Sequence, residues 1–122
     1  MLLGDVKKAV YQAVSKTGVK VYDRLPMVDK YPYIILETSA SGRRKYKNSM
    51  GRSISFTLDI FSNYKGEKEI YDLDAQIEEN MDELLKLGQV MVIEKEQFAI
   101  INDTNPVVKH GIITYKIKLV EV

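Results

Sequence analysis

Ser53-Ile54-Ser55-Phe56-Thr57-Leu58-Asp59-Ile60 alternates strictly between polar and apolar residues, the period of a β-strand with one buried face and one polar face. Four large apolar side chains on one face require a covering layer. A few residues later the period changes. Ile70, Leu73, Ile77, Met81 and Leu84 recur at three- and four-residue spacing, one apolar stripe of an amphipathic helix that should start near Gly66 and stop at Gly88. A one-faced strand followed at once by a one-striped helix can bury each other, so a helix packed on a sheet is the local unit this stretch builds.

The rest of the chain supplies the same parts. Leu3, Val6, Val10, Ala13 and Val14 recur at helical spacing around Asp5, a candidate N-cap, and Gly18 stands where a helix needs a left-handed residue to end it. Val19 and Val21 alternate with Lys20 and Tyr22 as a short strand. Tyr33-Ile34-Ile35-Leu36 forms another, which Pro32 must begin or edge because proline cannot donate to a ladder. Val90-Met91-Val92-Ile93 and Phe98-Ala99-Ile100-Ile101 are expected as two short strands joined by a polar turn over Glu94 to Gln97. In the last strand Ile113, Tyr115, Ile117 and Leu119 alternate with Thr114, Lys116 and Lys118. The order helix, strands, helix, strands predicts an α+β fold, a mainly antiparallel β-sheet with two α-helices packed on one face, as one domain spanning 1–122.

Between the strands lies a stretch without period. From Ala40 to Gly51 there are two glycines and the cluster Arg43-Arg44-Lys45-Tyr46-Lys47-Asn48, expected as a long exposed hairpin loop, 41–52. Hairpin turns usually take about two to five residues, and longer connections are disproportionately functional or mobile.

Composition narrows the chemistry. An apolar fraction of 45% and a charged fraction of 29% fit a globular chain rather than a disordered or membrane-spanning one. There is no cysteine, which removes disulfides, thiolate metal sites and a cysteine nucleophile together. Met1-Leu2-Leu3-Gly4-Asp5 has no basic stretch leading into an apolar run, so no secretory signal is expected, and synthesis in a reducing cytoplasm is. The single histidine, His110, is expected as a surface or turn residue in a loop just before the last strand, since with no second histidine a metal site would need carboxylates around it. No serine stands in a Gly-x-Ser-x-Gly elbow. The acidic pairs Asp74/Glu78 and Glu78/Asp82 lack the alternating oxygen ligands and central glycine of a calcium loop. Neither an enzyme, a cofactor nor a metal is expected.

What remains is charge distribution. The net charge is only +1, yet Arg43, Arg44, Lys45, Lys47 and Arg52 put five cations in one stretch, with Tyr46 among them. Helix two carries Glu67, Glu69, Asp72, Asp74, Glu78, Glu79, Asp82 and Glu83, eight acids. A basic loop and an acidic helix in a near-neutral molecule fit a head-to-tail contact between copies, with Glu78 and Glu79 as the acidic side; such heterologous contacts close into rings when the rotation permits. The alternative is a small nucleic-acid-binding module using the basic 43–52 loop, whose cations and tyrosine suit a single strand. Against it stand the shortness of the run, the offsetting helix and the lack of a glycine-rich phosphate loop.

Val21-Tyr22-Asp23-Arg24-Leu25-Pro26 followed by Tyr31-Pro32-Tyr33-Ile34-Ile35, then Leu58-Asp59-Ile60-Phe61-Ser62, then His110-Gly111-Ile112-Ile113-Thr114-Tyr115 resemble the tail completion, or tail terminator, proteins of long-tailed bacteriophages and related prophage elements. The resemblance covers nearly the whole length. It implies an α+β fold without enzymatic activity and a ring of six copies on the end of the tail tube. That ring would stop tube growth and join tail to head. The implied partners are the chain itself, the tail tube protein and a head completion or connector protein, with no membrane and no nucleic acid. The implied location is the head–tail interface of the virion, assembled in the host bacterial cytoplasm. In similar proteins the loop corresponding to Ser41–Arg52 is mobile in the free subunit and contacts neighbours in the ring.

Overall fold

The computed structural model describes residues 3–26, 30–46 and 49–120, with the backbone alone at 40, 43–46, 49, 50 and 91. Helix α1 (Leu3–Ser15) buries Val6, Val10, Ala13 and Val14. It already includes Leu3, so Asp5 sits inside the first turn rather than at the N-cap, where its carboxylate still favours the positive end of the helix dipole. Gly18 ends the segment with φ +86°, a conformation that side chains with a Cβ rarely adopt, and its N–H donates to Ser15 O at 3.0 Å.

Five strands form one sheet in the order β1-β2-β3-β5-β4: β1 (Lys20–Tyr22), β2 (Tyr33–Tyr46), β3 (Ser49–Ser62), β4 (Val90–Asn102) and β5 (Lys109–Val120). β1 lies parallel to β2, and the other neighbours are antiparallel. Ile54, Phe56, Leu58 and Ile60 of β3 are all fully buried, and so are Ile113 and Ile117 of β5, with Tyr115 and Leu119 nearly so. They share one core cluster with the apolar stripes of α1 and of α2 (Lys68–Asp82), which continues as a short 3₁₀ turn over Glu83–Lys86. The fold is the expected α+β arrangement with both helices on one face.

The helix layer is fastened to the sheet at close range. A Cβ at Gly111 would fall 2.7 Å from Cγ2 of the fully buried Ile70, so this glycine lets the first turn of α2 settle onto β5. At the other end of α2, Asn80 Nδ2 donates to Ala13 O at 3.1 Å and ties the two helices together. Leu84, expected on the buried stripe, falls in the 3₁₀ turn and is only partly buried against the core.

Two expectations about loops give way. Residues 94–97 are no turn: β4 runs unbroken from Val90 to Asn102, with register irregularities at Val90/Val92 and Lys95/Gln97. A bulge takes one residue out of the alternation and lets a strand change phase without ending. The stretch 41–52 is likewise extended backbone wherever it is described. Pairing runs without a break from Ala40↔Ser55 through Arg43↔Arg52 to Tyr46↔Ser49, leaving only 47 and 48 between the strands. Main-chain hydrogen bonds hold a ladder whether or not its side chains alternate in polarity, so the missing period concealed a strand.

Candidate protein–protein interface

The basic residues named from the sequence occupy rungs of this hairpin. Arg43 stands opposite Arg52, Arg44 opposite Gly51, Lys45 opposite Met50 and Tyr46 opposite Ser49; Lys47 lies outside the described residues. β5 accompanies β3 only as far as Gly51↔Val120, so the last rungs overhang the described sheet. Consecutive strand positions belong to opposite faces. Arg43, Lys45 and Arg52 therefore occupy positions of one face and Arg44 a position of the other. Two arginines directly opposite one another favour a nearby carboxylate, because like charges across a rung repel.

The acids of α2 divide into engaged and exposed. Lys68 Nζ meets Asp72 Oδ2 at 2.7 Å, Lys86 Nζ meets Glu83 Oε2 at 2.6 Å, and Ser62 Oγ donates to Glu69 Oε1 at 2.5 Å. Lys95 of β4 reaches up from the sheet to two acids at once, Asp74 Oδ1 at 2.9 Å and Glu78 Oε2 at 3.3 Å. Glu67, Glu79 and Asp82 stand exposed. Of the two acids nominated from the sequence, Glu78 already shares a lysine within its own chain, and Glu79 is open to solvent.

Lys95 is a feature the sequence reading missed, because it was assigned to a turn. Burial disfavours its charge, but Asp74 and then Glu78 outweigh that cost and hold its pKa above the ordinary lysine value. Beneath it, opposite in register, lies Tyr115, whose buried hydroxyl finds no hydrogen-bond partner among the described residues. Burial, followed by the charges of Asp74, Glu78 and Asp82, raises the Tyr115 pKa and keeps the phenol neutral. A signal for this cluster was present. Ile93 and Phe98 differ by an odd number of positions yet both pack on the core, which marks a bulge between them and puts Lys95 on the helix side.

His110 is no turn residue. It is the second residue of β5, stacked on Phe61 at 4.3 Å between ring centroids, with Nε2 2.7 Å from Asp59 Oδ1. Phe61 in turn stacks on Tyr33 at 5.0 Å, so an aromatic row crosses three strands on the sheet face opposite the helices. The row stiffens that end of the sheet. Among the described residues no group of three or more histidine, aspartate or glutamate side chains could hold a metal ion. A surface hollow of about 490 Å³ between α1 and β1 is open and lined by Lys7, Lys8, Tyr11 and Tyr22 among others. None of these groups assembles a nucleophile with a base.

The sequence profile of a family described as Tail completion protein gp17 matches residues 6–119, from the first turn of α1 to the end of β5. The chain belongs to this family. Its fold is also found in a chain from the virion of a native gene transfer agent particle. There the TM-score is 0.63, at 12% identity, and the match covers 95% of each chain. No curated protein sequence matches. Membership of the tail completion family agrees with the resemblance carried by the Val21–Pro26, Leu58–Ser62 and His110–Tyr115 stretches. In the structure these are β1 with its exit, the core end of β3, and the start of β5.

Proposed function

We propose that this chain completes the tail of a phage-like particle by forming a ring of six copies at the end of the tail tube. One ring face takes the place of the next tube layer and stops polymerisation. The other offers the surface on which a head completion or connector protein docks. The observation that carries this reading is the family match over residues 6–119, and the similarity to a chain of a gene transfer agent virion supports a place in the particle. The chain acts by presenting surfaces and performs no chemical step; it is assembled in the bacterial cytoplasm and stays at the head–tail interface.

Within the ring, the hairpin bearing Arg43, Arg44, Lys45, Tyr46, Lys47 and Arg52 meets the α2 side of the neighbouring copy, with Glu78 and Glu79 as its acidic counterpart. Complementary charge steers encounter and fixes register more than it adds affinity, which suits subunits that stay apart when dilute and assemble when concentrated, as at a tube end. Over residues 41–46 and 49–52 the hairpin is mobile in the free subunit and ordered by the neighbour. Omission of the chain from an assembling phage tests the proposal. Filled heads and separate tails should accumulate, tails should exceed their normal length, and added purified protein should restore joining. Joined particles with normal tails in its absence would refute it, and a steeply salt-dependent shift of DNA by the purified chain would favour a nucleic-acid module instead.

A further inference from the structure

The sheet has two edges of unequal character. Only the first three residues of β2, Tyr33 to Ile35, are covered by β1, and from Leu36 to Tyr46 no described strand pairs with that edge. At the other side β4 is the last strand of the order, and its outer edge is open along its length. β4 carries two bulges and an inward-pointing charge at Lys95, devices that discourage indiscriminate strand addition. Such an edge admits a partner of the right register and rejects others.

The two edges fit each other between copies. β2 and β4 run in opposite directions, so a copy rotated about an axis along the strands brings its β4 antiparallel to the first copy's β2. Within one chain Tyr33 is level with Ile101, and Arg43 with Val90. An incoming β4 at equal height would collide with β1. A shift of about four residues, roughly 13 Å at 3.3 Å per residue, clears β1 and pairs Leu36–Thr38 with Ile100–Asn102 and Arg43–Tyr46 with Val92–Lys95, face matching face, with the β2 bulge after Thr38 and the β4 bulge after Lys95 in the rungs between. Closed sheets require such a stagger, because their strands tilt to the axis.

That register also places the charges. Arg44 comes opposite Glu94, which is exposed and, among the described residues, meets Lys118 at 3.5 Å. Arg43 comes opposite Lys95, a like charge across the rung, whose repulsion Asp74 and Glu78 of α2 offset from 2.9 and 3.3 Å. The hairpin then meets the acidic helix and the acidic edge strand of the same neighbour, on the two faces of one sheet. We infer that successive copies join by antiparallel addition of β4 to the open edge of β2, with Arg44 opposite Glu94. This rests on the ring reading above and specifies its interface.

Cross-linking tests it cleanly, since the chain has no cysteine of its own. A chain carrying Arg44→Cys and Glu94→Cys should give, on mild oxidation after assembly at high concentration, a ladder of covalent oligomers ending in a closed ring. Each single variant alone should give no ladder, and an equimolar mixture of the two should give a cross-linked pair. A ring seen by native mass measurement with no 44–94 ladder, and a ladder instead from Arg43→Cys with Glu79→Cys, would leave the ring standing and overturn the edge pairing. Monomer at every concentration up to the solubility limit would overturn both.

Discussion

The β2–β3 hairpin is one continuous ladder whose two halves follow different rules. In the near half, Ile34 and Leu36 face Ile60 and Leu58, and all four are buried in the core under the helices. In the far half, Gly42 to Tyr46 pairs with Ser53 to Ser49 through the same main-chain pattern, yet apart from Tyr46 and Met50 the residues are small or cationic. Burial fixes the first half, and the second continues the ladder without an alternating apolar face in its sequence. Register in a strand without an apolar face is weakly specified, so the far half is the part of the fold that a neighbour can select.

The largest contrast should appear at adjacent positions of β3. Phe56 is fully buried and Thr57 lies on the opposite face, so Phe56→Ala should cost about 3–5 kcal/mol while Thr57→Ala stays within about 1 kcal/mol. Equal losses in denaturant titration would contradict the alternation. A smaller but still core-level effect is expected at Gly111. Gly111→Ala forces a methyl group against Ile70 Cγ2 and should cost about 1–3 kcal/mol, relieved in part by Ile70→Ala, which removes that methyl group, in a double-mutant cycle. Additive losses would show that the two do not touch.

Alkaline pH offers a third probe of the buried half. Lys95 and Tyr115 both have pKa values raised in the folded chain, so the unfolded chain releases these protons first as pH rises. Their contribution to stability is complete below about pH 10, the ordinary range of both groups, and is lost as pH climbs towards the folded values. Lys95→Met should remove the lysine part of that loss and lower stability near neutrality by about 1–3 kcal/mol, because Asp74 and Glu78 lose a charged donor. Melting curves collected from pH 7 upward check the sign; a stability that rises through pH 10 would reverse the assignment.

These residues also show how far the sequence could be read. Ile54 to Ile60 and Ile70 to Met81 announced a sheet and its covering helix, because a buried face leaves its period in the residue types. Gly18 announced a left-handed end by the same directness. The continuity of β4 and the far half of the hairpin left no such trace: one was hidden by bulges that shift the period, the other by a sequence with no alternation of polar and apolar residues. Lys95 and His110 were misplaced for the same reason, since a polar residue in a short polar run looks like a turn until the strand through it is seen. The cations at Arg43, Arg44 and Lys45 were legible as residues, whereas their division between two faces was legible only once the ladder was known.

The smallest expected effect on stability accompanies the decisive effect on assembly. Arg43→Glu with Arg44→Glu changes positions of the far half alone and should shift folding stability by no more than about 0.5 kcal/mol per site. Phage complementation with this variant should yield filled heads and tails that stay unjoined, with tails of abnormal length if capping is lost too, and partial recovery when Glu78→Lys and Glu79→Lys are added. Normal infectious particles from the double reversal would contradict the role assigned to this hairpin.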